Sequence, residues 1–290
     1  MANEAQGKNA TAAAAEITMT NTPAQTAATM LAAMTGKAGL PLAKMFLLAL
    51  MAGAFIAIGA EAANIAAHNI TQTGVQRLVM GCIFPVGLIM VVLLGAELFT
   101  GNCMMIAPLC DKRIKAAGLL RNWVVVYLGN FVGAMIVVVL VNLSGQLGYS
   151  EGGLAALTMK IAVTKSSLDP FTAFASGIMC NVLVCIAVLL AMSSKTVMGK
   201  IAGIWFPIMT FVLSGFEHCV ANMYYIPAGI LAAANPSYAA AASAAGVSLD
   251  ALTFAGFAAN LVPVTLGNIV GGCVVALLMW YCHGRAKKVG

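Results

Sequence analysis

The chain has 290 residues, of which 61% are hydrophobic and only 8% charged. A soluble domain carries about 25% charged residues, so a soluble globular class is excluded. The apolar runs are continuous rather than alternating, which rules out the strands of an outer-membrane barrel.

Residues 1–36 are rich in Ala and Thr and lack a short basic segment followed by an apolar core. No cleaved signal peptide is expected. This stretch reads as a mobile segment with room for one short amphipathic helix, inside a cytoplasmic N-terminal segment over 1–38. Hydrophobic spans follow at about 42–67, 78–109, 116–143, 171–192, 201–234 and 254–283. They predict an all-α polytopic membrane protein with a six-helix transmembrane domain over 39–284 and a cytoplasmic basic tail over 285–290. The second and fifth spans exceed the roughly 17–25 residues of one crossing, and each is interrupted by a polar patch.

The net charge of +6 is explained by topology rather than by nucleic acid. With the N-terminus cytoplasmic, only Arg77, Lys160 and Lys165 of the 15 Lys and Arg residues fall on the outer side. That bias places both termini in the cytoplasm. The eight cysteines sit mostly in apolar runs with no C-x-x-C pair, so neither a metal nor a redox site is expected.

The polar patches are related. Gly95–Asn102 reads GAELFTGN and Gly215–Asn222 reads GFEHCVAN, both Gly-x-Glu-x-x-x-x-Asn, and each follows a proline, Pro85 or Pro207. The next spans also match, LGNFVG from Leu128 and LGNIVG from Leu266. Three spans per half with the second interrupted imply an inverted 3+3 repeat with a site near the bilayer midplane. The G-x-x-x-G spacing inside each LGN segment predicts close helix packing, with Asn130 and Asn268 as interhelical hydrogen-bond formers. Glu97 and Glu217 are costly in such surroundings and are functional candidates by default.

GAELFTGN, GFEHCVANMYYIPAGI, NLVPVTLGNIVGG from Asn260 and PLAKMFLLALMAGAFIAIG from Pro41 resemble the formate/nitrite transporter family. The resemblance runs from about Pro41 to about Trp280. It implies an aquaporin-like fold with helices two and five broken, assembled as a homopentamer in the inner (cytoplasmic) membrane with one pore per protomer. The absence of the aquaporins' Asn-Pro-Ala pair argues against a water channel. Carried onto this chain, the central histidine is His218, flanked by Glu217 and Asn222. Thr100 is the threonine of the helix-two loop, with Leu98 and Phe99 at the cytoplasmic constriction. Phe84, Leu88 and Phe211 are further constriction positions, Asn181 is the helix-four asparagine, and Lys165 the vestibule lysine. Asn102 stands at a variable position and is not assigned to the site.

The function so implied is a channel or transporter for small monovalent anions of weak acids, formate first, with nitrite and hydrosulfide as alternatives. Its partners are the anion, protons and membrane lipid, with no cofactor. An acid with a pKa of about 4 is roughly one part in a thousand neutral at pH 7. A proton donor in an apolar pore removes that bottleneck, and an imidazole titrates near ambient pH. Lys165 would attract the anion, His218 donate or relay the proton, and Thr100 and Asn181 bond the anion's oxygens. Glu97, Glu217 and Asn222 would support the helix breaks. A membrane-embedded enzyme would need a nucleophile or metal ligands near Glu217 and His218, and the spans show neither. A scaffold without conduction would tolerate loss of His218. No role is assigned to Glu61, His68 or His283.

Overall fold

Long apolar runs are stable as helices, which satisfy their own backbone. A computed structural model of the chain describes residues 18–285, and all its extended elements are helical. In chain order they are α1 (Pro23–Ala38), α2 (Leu42–Ala67), α3 (Thr73–Ile83), α4 (Val86–Leu93), α5 (Phe99–Asn102), α6 (Ile106–Cys110), α7 (Ala116–Leu143), α8 (Tyr149–Ser166), α9 (Pro170–Ser193), α10 (Val197–Ser214), α11 (Cys219–Ala233), α12 (Pro236–Ala244) and α13 (Phe254–Met279). Six segments are long and apolar enough to cross a membrane: 42–67, 73–93, 116–143, 170–193, 197–214 and 254–284. The first part of the N-terminal segment and residues 286–290 of the basic tail lie outside the described residues.

The short helix that the sequence reading allows in its mobile N-terminal segment is present, and it is docked on the bundle. Thr22 and Gln25 form a capping box at the start of α1. Thr26, Ala27, Met30, Leu31 and Met34 recur at helical spacing and are buried against the bundle. The strand-like stretch before it bonds to the end of α9, Asn21 N to Ser193 O at 2.7 Å and Lys195 N to Met19 O at 3.1 Å. An apolar stripe of this kind is stable only when covered. The connector over 144–170 is likewise mostly helical, as α8. At the start of α9, Asp169 caps Thr172 N at 3.0 Å, and hydrogen bonds from Thr172 hold its carboxyl below the ordinary range.

Two helix pairs form the frame, α2 along α7 and α9 along α13. Their closeness depends on the predicted small residues. A Cβ at Gly133 would stand 2.0 Å from Leu50 O, and one at Gly267 2.1 Å from Phe174 O. Between the two pairs, α4 ends and α5 begins across residues 94–98, and α10 gives way to α11 across 215–218. Gly95 and Gly215, with φ of 69° and 73°, start these two non-helical segments in the left-handed region. A side chain there would add strain.

Gly133→Ala is therefore expected to lower stability by about 1–3 kcal/mol through overpacking, read as a lower thermal midpoint of the purified protein in detergent. Gly74→Ala, with nothing within 4 Å of its Cβ position, should leave the midpoint unchanged or slightly raised.

Candidate functional site

Each non-helical segment leaves backbone groups without helical partners, in a place where water is scarce. Two asparagines take them up. Asn130 on α7 accepts from Phe99 N at 2.9 Å and donates to Glu97 O at 2.9 Å and Ala49 O at 2.7 Å. Asn268 on α13 accepts from Cys219 N at 2.8 Å and donates to Glu217 O at 2.9 Å and Gly177 O at 2.8 Å. Both asparagines are fully buried.

The two glutamates are held in the same matched way. Glu97 accepts from Lys37 at 2.5 Å and from Asn102 Nδ2 at 2.7 Å, while Asn102 also donates to Asn122 Oδ1 at 2.8 Å. Glu217 accepts from Lys165 at 2.7 Å and from Asn222 Nδ2 at 2.6 Å, while Asn222 also donates to Asn260 Oδ1 at 2.7 Å. Asn260 in turn donates to Lys165 O at 2.9 Å and reaches Glu217 at 3.2 Å. Each buried carboxylate thus has a half-buried counter-charge and further hydrogen bonds. A buried ion pair persists only on those terms.

The two segments meet at the centre. Thr100 Oγ1 lies 3.1 Å from His218 Nε2, and both residues are buried. His218 is the N-cap of α11, and its Nδ1 accepts from Ala221 N at 3.0 Å. An acceptor nitrogen carries no proton, so the neutral ring holds its hydrogen on Nε2, directed at Thr100. The imidazole lies near-parallel to the Phe211 ring, 5.9 Å between centroids at 23°, and Phe84 meets Phe211 edge-on at 5.4 Å.

A cavity of about 240 Å³ ends at Phe84, Phe211 and His218 and is also lined by Arg77, Lys160, Lys165 and Tyr225. A second, of about 150 Å³, ends at Leu88, Leu98 and Gly101 on the Lys37 side. No residue lines both. Phe84 and Leu88, four residues apart, line different cavities on either side of an apolar septum.

Of the sequence-predicted residues, Phe84, Phe211, Glu217 and His218 line the first cavity and Leu88 and Leu98 the second, while Thr100 lines neither and meets His218. Phe99 lines neither cavity and packs edge-on against Tyr127 and Trp123 at 4.9 and 6.1 Å. Asn181 donates to the backbone oxygens of Thr100 and Asn268, at 3.1 and 2.5 Å. Lys165 lines its cavity but is engaged by Glu217 and lies 5.3 Å from the Tyr225 ring centre.

Sequence reasoning missed Lys37, Asn122 and Asn260 and left out Asn102. Signals existed. Asn122 and Asn260 each precede the LGN asparagine by the same interval, in NWVVVYLGN and NLVPVTLGN. Lys37 and Lys165 open KAGLP and KSSLDP, each just before a helix. Glu61 also gains a partner, accepting from the Tyr224 hydroxyl.

A sequence model described as Formate/nitrite transporter matches residues 24–282. The chain belongs to that family. The match begins inside α1, upstream of Pro41, so the docked helix is included in it. The chain is 41% identical over 283 residues to the probable formate transporter of Methanothermobacter thermautotrophicus, covering 90% of this chain and 96% of that one. It is 38% identical over 249 residues to Formate channel FocA of Escherichia coli strain K12, covering 83% and 87% respectively. Among solved structures it is similar to one described as a pentameric formate channel with formate bound, at 37% identity and a TM-score of 0.74 over 83% of this chain and 96% of that. A structure described as an FNT family ion channel matches at 29% identity and a TM-score of 0.73, over 89% and 97%. As a formate/nitrite transporter family member, the protein is a transmembrane channel or transporter and not an enzyme.

The Lys165–Glu217 pair can be tested for mutual dependence. Lys165→Met strands a buried carboxylate and should cost about 3–5 kcal/mol, lowering the thermal midpoint in detergent. Adding Glu217→Gln should restore much of that loss. Equal, additive losses would show that the two groups do not depend on each other.

Proposed function

We propose that the protein is a homopentameric inner-membrane channel for small monovalent anions of weak acids, formate first, permeating with a proton through one pore per protomer. Nitrite or hydrosulfide is the alternative cargo of the same pore. The single observation that carries the reading is the 3.1 Å approach of His218 Nε2 to Thr100 Oγ1 where two cavities stop at an apolar septum. The names of the relatives, a formate channel among them, support formate over the alternatives.

In this reading the two non-helical segments are breaks in helices two and five of an inverted repeat, supported by the matched Glu97 and Glu217 clusters. Both termini are cytoplasmic, so the Lys37 cavity opens inward and the Lys165 cavity outward. Phe84, Leu88, Leu98 and Phe211 form the apolar barrier. A bare anion pays a solvation penalty of several kcal/mol there, whereas the protonated acid does not. Asn181 acts by fixing the Thr100 backbone, which aims the hydroxyl at the pore.

His218 serves as both hydrogen-bond donor and proton source. In the neutral ring, Nε2–H meets the anion beside Thr100. The imidazolium has a second N–H at Nδ1, and forming it requires Ala221 N–H to leave that nitrogen. Protonation is thereby coupled to release of the α11 cap. The proton passes from Nε2 to the anion's oxygen, which leaves the ring neutral with its hydrogen on Nδ1; the neutral acid crosses the septum, and the cap re-forms when Nδ1 gives its proton to cavity water and Nε2 takes one up from it.

The test is uptake of labelled formate into proteoliposomes under an inward-directed proton gradient, with nitrite and sulfide as competitors. His218→Phe should reduce gradient-driven uptake by about a hundredfold or more, the lower end for loss of a proton-transfer group. Uptake unaffected by His218→Phe would remove the relay role. Competition by one rival anion stronger than by unlabelled formate would reassign the cargo.

A further inference from the structure

We propose that Arg77 is the anion-receiving residue of the outer cavity, a guanidinium fork that favours planar two-oxygen anions over a single-atom anion such as hydrosulfide. The inference rests on reading that cavity as an anion entrance. It assigns the first contact, and part of the selectivity, to a residue outside the septum.

Three cations line the cavity: Arg77, Lys160 and Lys165. Lys165, the residue expected from sequence to attract the anion, is already committed. Its Nζ bonds Glu217 at 2.7 Å and lies over the Tyr225 ring. Among the described residues, Glu217 is the only carboxylate in the lining, and its oxygens are taken by Lys165, Asn222 and Asn260. Among the described residues, no carboxylate lies within salt-bridge distance of Arg77. Arg77 thus brings an uncancelled charge to a cavity that ends at His218.

Its position is built by the fold. Arg77 projects from α3 across the start of the non-helical segment at Gly215. A Cβ at Gly215 would stand 3.2 Å from Nη1 and 3.6 Å from both Cζ and Nη2. Gly215 therefore serves twice, supplying a φ of 73° and leaving room for the guanidinium beside the backbone. A guanidinium presents paired N–H donors that match two oxygens at once, while an ammonium acts as a point charge. Formate and nitrite can take both donors, and a lone sulfur cannot. Lys160, on α8, supplies charge without that geometry.

Full-length protein in proteoliposomes is assayed for initial uptake of formate, nitrite and hydrosulfide over a concentration series, at low and high ionic strength. The variants are Arg77→Gln, Arg77→Lys and Lys160→Gln, each first checked for assembly by size-exclusion chromatography. Arg77→Gln should raise the half-saturating concentration of formate and nitrite about fivefold at low salt, the reach of one exposed charge pair. That effect should shrink at high salt, with the maximal rate little changed. Arg77→Lys should raise it for formate and nitrite but not for hydrosulfide, and Lys160→Gln should move all three alike. Unchanged half-saturation in Arg77→Gln, or equal shifts of all three anions in Arg77→Lys, overturns the assignment while leaving the channel reading intact. Wild-type vesicles that take up none of the three anions sink the channel reading, and this inference with it.

Discussion

Two buried glutamates hold non-helical backbone open in the middle of an apolar bundle, and the rest of the site depends on them. Interrupting a helix where water is scarce exposes N–H and C=O groups that nothing nearby can satisfy. Asn130 and Asn268 take the orphaned backbone on each side. Glu97 and Glu217 then anchor the following turn through Asn102 and Asn222. Each acid needs a cation, since an unpaired carboxylate at that depth would itself unfold the segment. Lys37 arrives from α1 and Lys165 from the end of α8.

This dependence explains why elements far apart in the sequence behave as one unit. Helix α1, docked through its apolar stripe, delivers the counter-charge for Glu97 from its last turn, and α8 does the same for Glu217. The tight α2–α7 and α9–α13 contacts, made possible by Gly133 and Gly267, bring Asn130 and Asn268 within reach of the two segments. Scaffold and site are therefore the same set of interactions. The proposed chemistry enters where the halves differ: Leu98 occupies the N-cap of α5, and His218 occupies that of α11.

Much of this was legible in the sequence because charge in an apolar run is rare and the two patches share one spacing. The glutamates, the LGN asparagines, the close-packed glycines and the six apolar segments were all readable on those grounds. What escaped notice depends on direction and distance rather than residue type. Lys37 reads as one more basic residue on the inner side until α1 folds back onto the bundle. Asn122 and Asn260 sit in the shared N-x₇-N pattern, but a neutral asparagine stands out less than an acid. Phe99 follows Leu98, which lines the smaller cavity, yet successive positions face different ways, and it turns to Tyr127. Asn181 lies on α9 and uses its amide on backbone, which no spacing reveals.

The central claim is that the anion crosses the septum as its neutral acid, so that charge does not move with it. Simultaneous recording of formate flux and membrane current in reconstituted vesicles tests this most directly, with the potential clamped by potassium and valinomycin. The account predicts uptake that follows the proton gradient, is insensitive to the clamped potential and carries no net current. Uptake that follows the potential, with one negative charge moved per formate, would contradict it.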